Sequence, residues 1–386
     1  MNYVLWLSSW YPSRVQPSNG DFVQRHAECV SMGRKVIVLH VEKDDELGPG
    51  ETEIIESERG SLVEIRVYYG RSKWGGWLGK LKSLTTFKKI QRVFYDKICA
   101  KYGEPSLIHV HESMKAGLLA INLKQERGIP YILTTHWTGY QTKFTPNYTE
   151  QTNYWNRLNR SIIKNASMIT TVSMELGRAM EKYAGPLPLK CIYNVVNTNN
   201  FFRSSATPKK FRFVHASYLN TQKNPEGIIE AAAFLQKDGW DFELVLIGRE
   251  CPEMIEMAIQ KGMQPTNIIN KPAIAHEQMP EELRSASSLL MFSRFENMPC
   301  ILLEALCSGL PVISSNVGGI AEVIDRSNGI LVESENVKAL EEAMKEMMRE
   351  YSRYDRTKIA LEASNKFSYE IIAKEFDSLY RSMETS

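Results

Sequence analysis

The sequence predicts an α/β protein of two parallel-sheet domains. Three observations carry this. In the first half, short β-rich runs alternate with helix-length patterns, which is how a parallel sheet with helices on both faces reads. From Phe211 onward a second series of the same kind begins. Between Ser288 and Ser315 a buried strand, a helix and another buried strand follow within about 30 residues, the spacing of a βαβ unit. A length of 386 residues also exceeds one ordinary domain.

The expected strands of the first half are residues 3–7, 36–41, 62–68, 107–111, 131–135, 168–172 and 191–193. Expected helices are 22–32, 81–100, 115–126, 150–165 and 174–182, the last capped by Ser173. Domains of residues 1–200 and 201–367 follow, with the polar stretch FRSSATPKK (202–210) as a linker. In the second half, strands are expected at 211–217, 242–247, 268–269, 288–292, 312–315 and 330–332. Asn224 and Pro225 suit the cap and first turn of a helix. Polar helices are expected at 336–350 and 358–365. The tail, from about 368 to 386, puts Ile371, Ile372, Phe376, Leu379 and Tyr380 on one helical face.

Composition excludes several classes. Hydrophobic residues make up 43% and charged residues 24%, which is ordinary for a soluble globular chain. No run approaches the ~18 apolar residues of a membrane span. The start, MNYVLWLSSWYPSR, has no basic flank before its apolar run and is expected to be a strand, not a signal peptide. The expected location is cytoplasmic. The six cysteines form no Cys-x-x-Cys pair. Cys300 and Cys307 lie two helical turns, about 10.5 Å, apart, beyond disulfide reach. The net charge of +2 hides an asymmetry: residues 1–200 carry 26 Lys and Arg against 18 Asp and Glu, while residues 201–386 carry 21 against 27. Either two solvated surfaces differ, or the first half faces an anionic partner such as a membrane surface or a lipid pyrophosphate.

Loops after strands are where such sheets present chemistry. WYPSRVQPSNGD (10–21) leaves the first strand, and Gly20 before Asp21 fits a turn and helix cap. It lacks the Gly-x-Gly-x-x-Gly of dinucleotide-binding dehydrogenases, which disfavours a nicotinamide enzyme. In GRSKWGGWLGKLK (70–82), Trp74, Trp77 and Leu78 sit among glycines and lysines. They suit a membrane interface, a mobile acceptor lid, or a plain loop covering the core. No nucleic-acid-binding motif accompanies them. His109 and His111 alternate onto one strand face, but no third ligand follows at metal spacing, so structural histidines are expected. His136 stands where the strand 131–135 opens into a loop, a position that favours function.

The most informative stretch is SRFENMPCILLEALCSGLPVISSNVGGIAEVI (293–324). Pro299 suits the first position of a helix that Gly309 and Pro311 end. Glu296 lies before that helix and Glu304 inside it. Between them are first-turn N–H groups at the positive dipole end, a ready anion site. Carboxylates flanking such a site suit neutral hydroxyls on either side of the anion, as in a sugar nucleotide. The bland alternative is a surface capping acid and an exposed helical glutamate.

Glu296 and Glu304 match the Glu-x7-Glu motif of retaining GT-B glycosyltransferases, and LLEALCSGLPVISSNVGGIAEVI resembles the donor segment of glycosyltransferase family 4. The resemblance covers nearly the whole chain and implies the GT-B fold, two Rossmann-like parallel-sheet domains facing across a cleft, with the tail helix packing back on the first. It implies a retaining, metal-independent transfer of a hexosyl unit from a UDP- or GDP-sugar to a saccharide or lipid-linked acceptor, in cell-surface polysaccharide or glycoconjugate synthesis. The donor is then the substrate and no cofactor is expected. Asp44-Asp45 is not the Asp-x-Asp of metal-dependent transferases.

By the same resemblance, Glu296 holds the sugar hydroxyls with the backbone of Asn297 and Met298, Pro299 opens the donor helix, and Glu304 holds the ribose diol. His136 meets the transferred sugar from the far wall, and Gly20 lies between donor phosphate and acceptor, although the family's double glycine is absent. Lys223 grips the diphosphate. The family's arginine near it is missing, with Ser217 or Tyr218 in its place, and Arg249 is the candidate substitute. NVVNTNNF (194–201) resembles the domain-junction stretch. Lys271-Pro272 falls on the loop that brushes the base. Peripheral contact of the first domain with the inner face of a membrane fits its basic charge. Two other readings stay open: an epimerase or phosphorylase on the same scaffold, and a nucleotide-sugar-binding subunit of weak activity.

Overall fold

Tyr3–Ser8 is buried along its entire length. Such a strand has no face for water and needs cover on both sides, which is the situation of a central strand in a parallel sheet. The computed structural model describes residues 3–72, 76–143, 146–204, 208–249 and 251–384. The chain forms two compact units, Met1–Tyr193 with Ile372–Ser386, and Asn194–Ile371. The expected linker therefore falls inside the second unit, and its residues 205–207 lie outside the described ones.

The strands of the first unit are β1 (Tyr3–Ser8), β2 (Lys35–Lys43), β3 (Thr52–Arg59), β4 (Leu62–Tyr69), β5 (Leu107–His111), β6 (Tyr131–Thr135), β7 (Met168–Thr171) and β8 (Leu189–Cys191). They form one sheet in the order β3-β4-β2-β1-β5-β6-β7-β8. All pairs are parallel except β3 on β4. Sequence reasoning missed β3. TEIIESER is almost wholly exposed, so no burial pattern marks it. Its charged face suits an edge strand, which must not template pairing with other chains. The helices are α1 (Asp21–Ser31), α2 (Gly76–Tyr102), α3 (Gly117–Arg127), α4 (Asn153–Asn165) and α5 (Met174–Ala184). Ser173 caps α5 as expected, its hydroxyl accepting from the Leu176 N–H at 3.1 Å. Trp74 and the side chains of Trp77 and Leu78 lie outside the described residues.

Among the described residues the second unit has six strands, β9 (Arg212–Ala216), β10 (Glu243–Ile247), β11 (Ile268–Lys271), β12 (Ser288–Met291), β13 (Val312–Ser315) and β14 (Gly329–Val332), ordered β11-β10-β9-β12-β13-β14 and parallel throughout. Its helices are α6 (Pro225–Lys237), α7 (Pro252–Gln260), α8 (Met279–Arg284), α9 (Cys300–Cys307), α10 (Val337–Arg349) and α11 (Arg356–Phe367). In each sheet the chain direction of winding reverses beside the first strand, between β1 and β5 and between β9 and β12. Outside the C-terminal ends of strands at such a switch point, α/β sheets hold their ligands.

The chain closes with α12 (Tyr369–Glu384), which buries Ile372, Phe376, Leu379 and Tyr380. The Tyr380 hydroxyl meets His109 Nδ1 at 2.7 Å, and Arg34 pairs with Asp377 at 3.2 Å. His109 Nε2 is 2.6 Å from Thr134 Oγ1, so both ring nitrogens serve packing. The structural role expected of His109 is what the fold gives it.

His109 belongs to a buried group with His26, His111 and His136; His109 and His111 lie 4.1 Å apart, His26 and His136 5.9 Å. Burial holds all four below the ordinary imidazole range, His26 at about 4. His215 in the second unit, also buried, is likewise at about 4. Each ring is neutral when folded, while an unfolded chain takes its proton near 6.5. The stability this gives is present above about 6.5 and is lost as pH falls toward 4. Glu112 opposes it, because burial raises its carboxyl to about 7 and favours the folded chain as pH falls below that. Glu375, also raised by burial, acts in the same sense as Glu112, but five rings outweigh two carboxyls, so the melting temperature is expected to drop by about 5–10 °C between pH 7 and pH 5. A flat melting temperature over that range, by calorimetry, would show that these rings are already charged in the folded chain.

Candidate functional site

At the switch point of the second sheet, the loops that follow β9 and β12 are joined by backbone and amide contacts. The Arg294 N–H donates to the Gln222 carbonyl at 2.8 Å, and Gln222 Nε2 donates to the Phe295 carbonyl at 3.0 Å. This brings Lys223 and Glu296 together although 73 residues separate them. The Lys223 ammonium donates to Glu296 Oε1, and the Ser293 hydroxyl donates to the same oxygen at 2.8 Å. Glu296 is 5% exposed. A buried carboxylate needs such partners, because desolvation without them costs more than any single contact returns. Among the described residues, Glu296 Oε2 has no protein partner.

The loop that carries Glu296 is held on two further sides. Asn194 Nδ2 donates to the Met298 carbonyl at 2.7 Å. Gly319 N–H donates to the Asn297 carbonyl at 2.9 Å. Gly318, at φ 57, lies so close that an added β-carbon would stand 1.9 Å from the Glu296 carbonyl oxygen. Only glycine tolerates both the dihedral and the approach.

Pro299 corrects the expected start of α9. It takes the cap position, not the first helical one, with extended dihedrals of −70° and 130°, and α9 begins at Cys300. Proline reaches that conformation as readily as the helical one, since both share its fixed φ. No side chain caps α9. By contrast, Asn224, left-handed at φ 50, caps α6 by accepting from the Gly227 N–H at 3.3 Å. The anion-binding character expected of a helix start therefore rests with α9 more than with α6.

Glu304 lies on the second turn of α9 and is 3% exposed. Its Oε1 is 2.8 Å from His276 Nε2, and the His276 ring lies 5.2 Å from that of Phe201. His276 follows β11, a few residues beyond Lys271-Pro272. Sequence reasoning did not single it out, because only the sheet order brings the end of β11 near α9. Both glutamates are thus buried and partnered, which rejects the alternative of a capping acid and an exposed helical glutamate. Arg249 stands after β10 with its guanidinium 3.4 Å from Cys251 Sγ. Among the described residues it makes no hydrogen bond or ion pair with Glu296 or Glu304.

In the first unit, Gly20 ends the loop that follows β1 at the switch point, and His136 follows β6, the strand next to β5. Gly20, at φ 76, caps α1, and an added β-carbon would lie 2.4–2.6 Å from the backbone of Trp10 and Tyr11. The turn thus requires glycine. It starts α1 so that the Phe22 ring lies 4.3 Å from that of His136, which is 9% exposed at the end of β6. Burial keeps His136 neutral, well below the ordinary imidazole range. Glu112, one residue beyond β5, was missed. It is 4% exposed, stands at φ 62, and accepts from the His136 N–H. The available signal was its place: the first residue past a wholly buried strand, on the side where α/β sheets present ligands.

Comparison with known proteins agrees with this architecture. Residues 27–200 match the model for Glycosyltransferase Family 4, and residues 196–363 match the model for Glycosyl transferases group 1. The Bacillus subtilis protein TuaC, provisionally named a teichuronic acid biosynthesis glycosyltransferase, is 24% identical over 97% of this chain and 95% of its own. Among solved structures, a sucrose-phosphate synthase from Thermosynechococcus elongatus superposes with a TM-score of 0.80 over 100% of both chains at 20% identity. Anabaena HepE in complex with UDP superposes with a TM-score of 0.73 over 98% of this chain and 100% of that one at 15% identity. These are GT-B structures, and the two parallel-sheet units described above have that fold. No described helix is long and apolar enough to cross a membrane.

Proposed function

The chain belongs to glycosyltransferase family 4, and on that premise we propose that it moves a hexosyl unit, with retention of anomeric configuration, from a nucleoside-diphosphate sugar to a saccharide or lipid-linked acceptor. One observation carries the reading: a buried Glu296, partnered by Lys223 and Ser293 at the sheet's switch point, stands before a helix start that no side chain caps, with the buried Glu304 one turn farther on. An anion at the α9 start would have a carboxylate on either side. Its neighbours must then be hydroxyls, and a sugar and a ribose joined by a diphosphate meet that requirement.

In this mechanism the first-turn N–H groups of α9 and the Lys223 ammonium stabilise charge that grows on the leaving diphosphate. Glu296 Oε2 accepts from donor-sugar hydroxyls, and Glu304 accepts from the ribose diol. His136, in the first unit, is assigned contact with the transferred sugar, and its neutral ring would act as a hydrogen-bonding group and not as a cation. Lys223 is already paired with Glu296, so their combined formal charge is zero. A diphosphate therefore calls for a second cation, and with Ser217 or Tyr218 in the place of the family's arginine, Arg249 is the proposed source. The net positive first half would suit an acceptor carried on an anionic lipid. Solved HepE in complex with UDP-glucose supports the donor class, and TuaC supports a role in cell-surface polysaccharide synthesis.

The test is a melting-temperature screen with UDP-, GDP-, ADP- and dTDP-sugars. A donor at 100 times its Kd stabilises the native chain by about 2.7 kcal/mol, a rise of several degrees. No shift with any of the four would remove the donor assignment. With the donor that binds, the product's anomeric coupling in NMR is expected to match the donor's; an inverted product would remove retention. In the same screen Arg249→Ala is expected to need about tenfold more donor for an equal shift, and an unchanged titration would dismiss Arg249 as the second cation.

A further inference from the structure

The switch point of the first sheet contains a carboxylate that the proposed mechanism leaves without a task. Beyond the ends of β1 and β5, the Ser9 N–H donates to the His111 carbonyl and the Ser9 hydroxyl to the Glu112 carbonyl, each at 2.9 Å. Glu112 then turns out of the strand in the left-handed region at φ 62. A residue with a β-carbon holds that conformation only against a penalty, and it persists where surrounding contacts fix it. Here they do. Its N–H donates to the Thr134 carbonyl at 2.9 Å, and its side chain crosses to the end of β6. There Oε1 accepts from the backbone N–H of His136, and the two carboxylate oxygens lie 3.2 and 3.1 Å from Thr135 Oγ1.

Both donors belong to the turn that launches the His136 ring. Burying a carboxyl here is unfavourable, and its acidity shows it, since burial raises it to about 7. A turn needs no such group: Thr135 and a small polar neighbour could close it. The expense has a local return, because the β5 and β6 ends are clamped at the one point where the ring leaves the sheet. The Phe22 ring, 4.3 Å away, limits that ring from the side of α1.

We propose that Glu112 is a positioning residue for the transfer: it fixes the backbone that carries His136, and so the point at which the imidazole meets the transferred sugar. This rests on the role given to His136 above. Removing the clamp should displace the ring by a fraction of an ångström to an ångström, enough for a large loss in rate without loss of donor binding.

The experiment compares wild type, Glu112→Ala, Glu112→Gln, His136→Ala and the Glu112→Ala/His136→Ala double variant in steady-state kinetics. Each is checked for folding by circular dichroism at the assay temperature. Glu112→Ala is expected to lower kcat about 10- to 50-fold with donor KM within about 3-fold of wild type. Glutamine keeps an acceptor oxygen for Thr135 and the His136 N–H, so Glu112→Gln should return kcat to within about 3-fold of wild type. The double variant should be no slower than His136→Ala alone, since Glu112 acts through that ring. If Glu112→Ala does not stay folded, Glu112→Asp carries the same test, because its shorter side chain keeps the charge but cannot span to both donors. A slow His136→Ala beside a folded Glu112→Ala or Glu112→Asp of wild-type kcat overturns the positioning role and leaves the His136 assignment standing. Losses that multiply in the double variant overturn it too. A His136→Ala enzyme with wild-type kcat instead removes the His136 assignment, and the proposal with it.

Discussion

Glu296→Ala is expected to lower kcat/KM by about 100- to 1,000-fold, the range seen when one preorganised group at a transferring centre is removed. Two losses combine. The sugar hydroxyls lose their acceptor, and the Lys223 ammonium loses its anion in a place where its side chain is only 17% exposed. Leaving a largely buried charge unpaired costs on the order of 3 kcal/mol, so Glu296→Ala should also melt several degrees lower. Glu296→Gln separates the two. Glutamine still accepts from a hydroxyl, but its neutral amide does so more weakly than a carboxylate, and Lys223 is released toward the diphosphate. Donor binding should hold or tighten while kcat falls by at least about tenfold. Steady-state kinetics with the donor found by thermal shift decide this, and a Glu296→Gln enzyme with wild-type kcat would take the carboxylate out of the chemistry.

The architecture is legible in the sequence wherever strands are buried on both faces. LIHVH and YILTT read as continuous buried runs, and both strands end where the pattern ends. β3 is illegible for the opposite reason: an exposed edge strand is held by pairing to β4 and not by a face of its own. The same division applies to the site. Glu296, Pro299 and Glu304 lie within one βαβ unit and the paired glycines just past its second strand, so local spacing displays them. Ser293, although it donates to Glu296, escaped notice because serine at a loop start carries no signal of its own. His276 reaches Glu304 from 28 residues away through the sheet order, which no local pattern encodes. In HVHES the histidines drew attention, yet His109 is consumed by Tyr380 and Thr134, while the glutamate one step beyond the strand ties down the His136 turn. Side chains that sit where the chain leaves the sheet carry more information than those within it.

Gly318→Ala is the second large expected effect, and it separates a steric demand from a conformational one. At φ 57, alanine would cost about 1–2 kcal/mol for the left-handed backbone alone. Its β-carbon would also stand 1.9 Å from the Glu296 carbonyl oxygen and 3.2 Å from that of Asn297. Ordinary contact requires the Glu296 backbone to retreat by about 1 Å, and a displacement of that size at a reacting centre costs on the order of 100-fold in rate. Gly239 supplies the control. It lies in the same unit with φ 85, yet an added β-carbon there has nothing within 4 Å. Gly239→Ala should therefore pay the backbone strain, melting a few degrees lower, and keep wild-type kcat. Gly318→Ala should melt lower as well and lose about 100-fold in kcat. Equal kcat in the two alanine variants would show that the glycine turn does not hold the Glu296 loop in its working position, because the strain they share would then account for everything alanine does at 318.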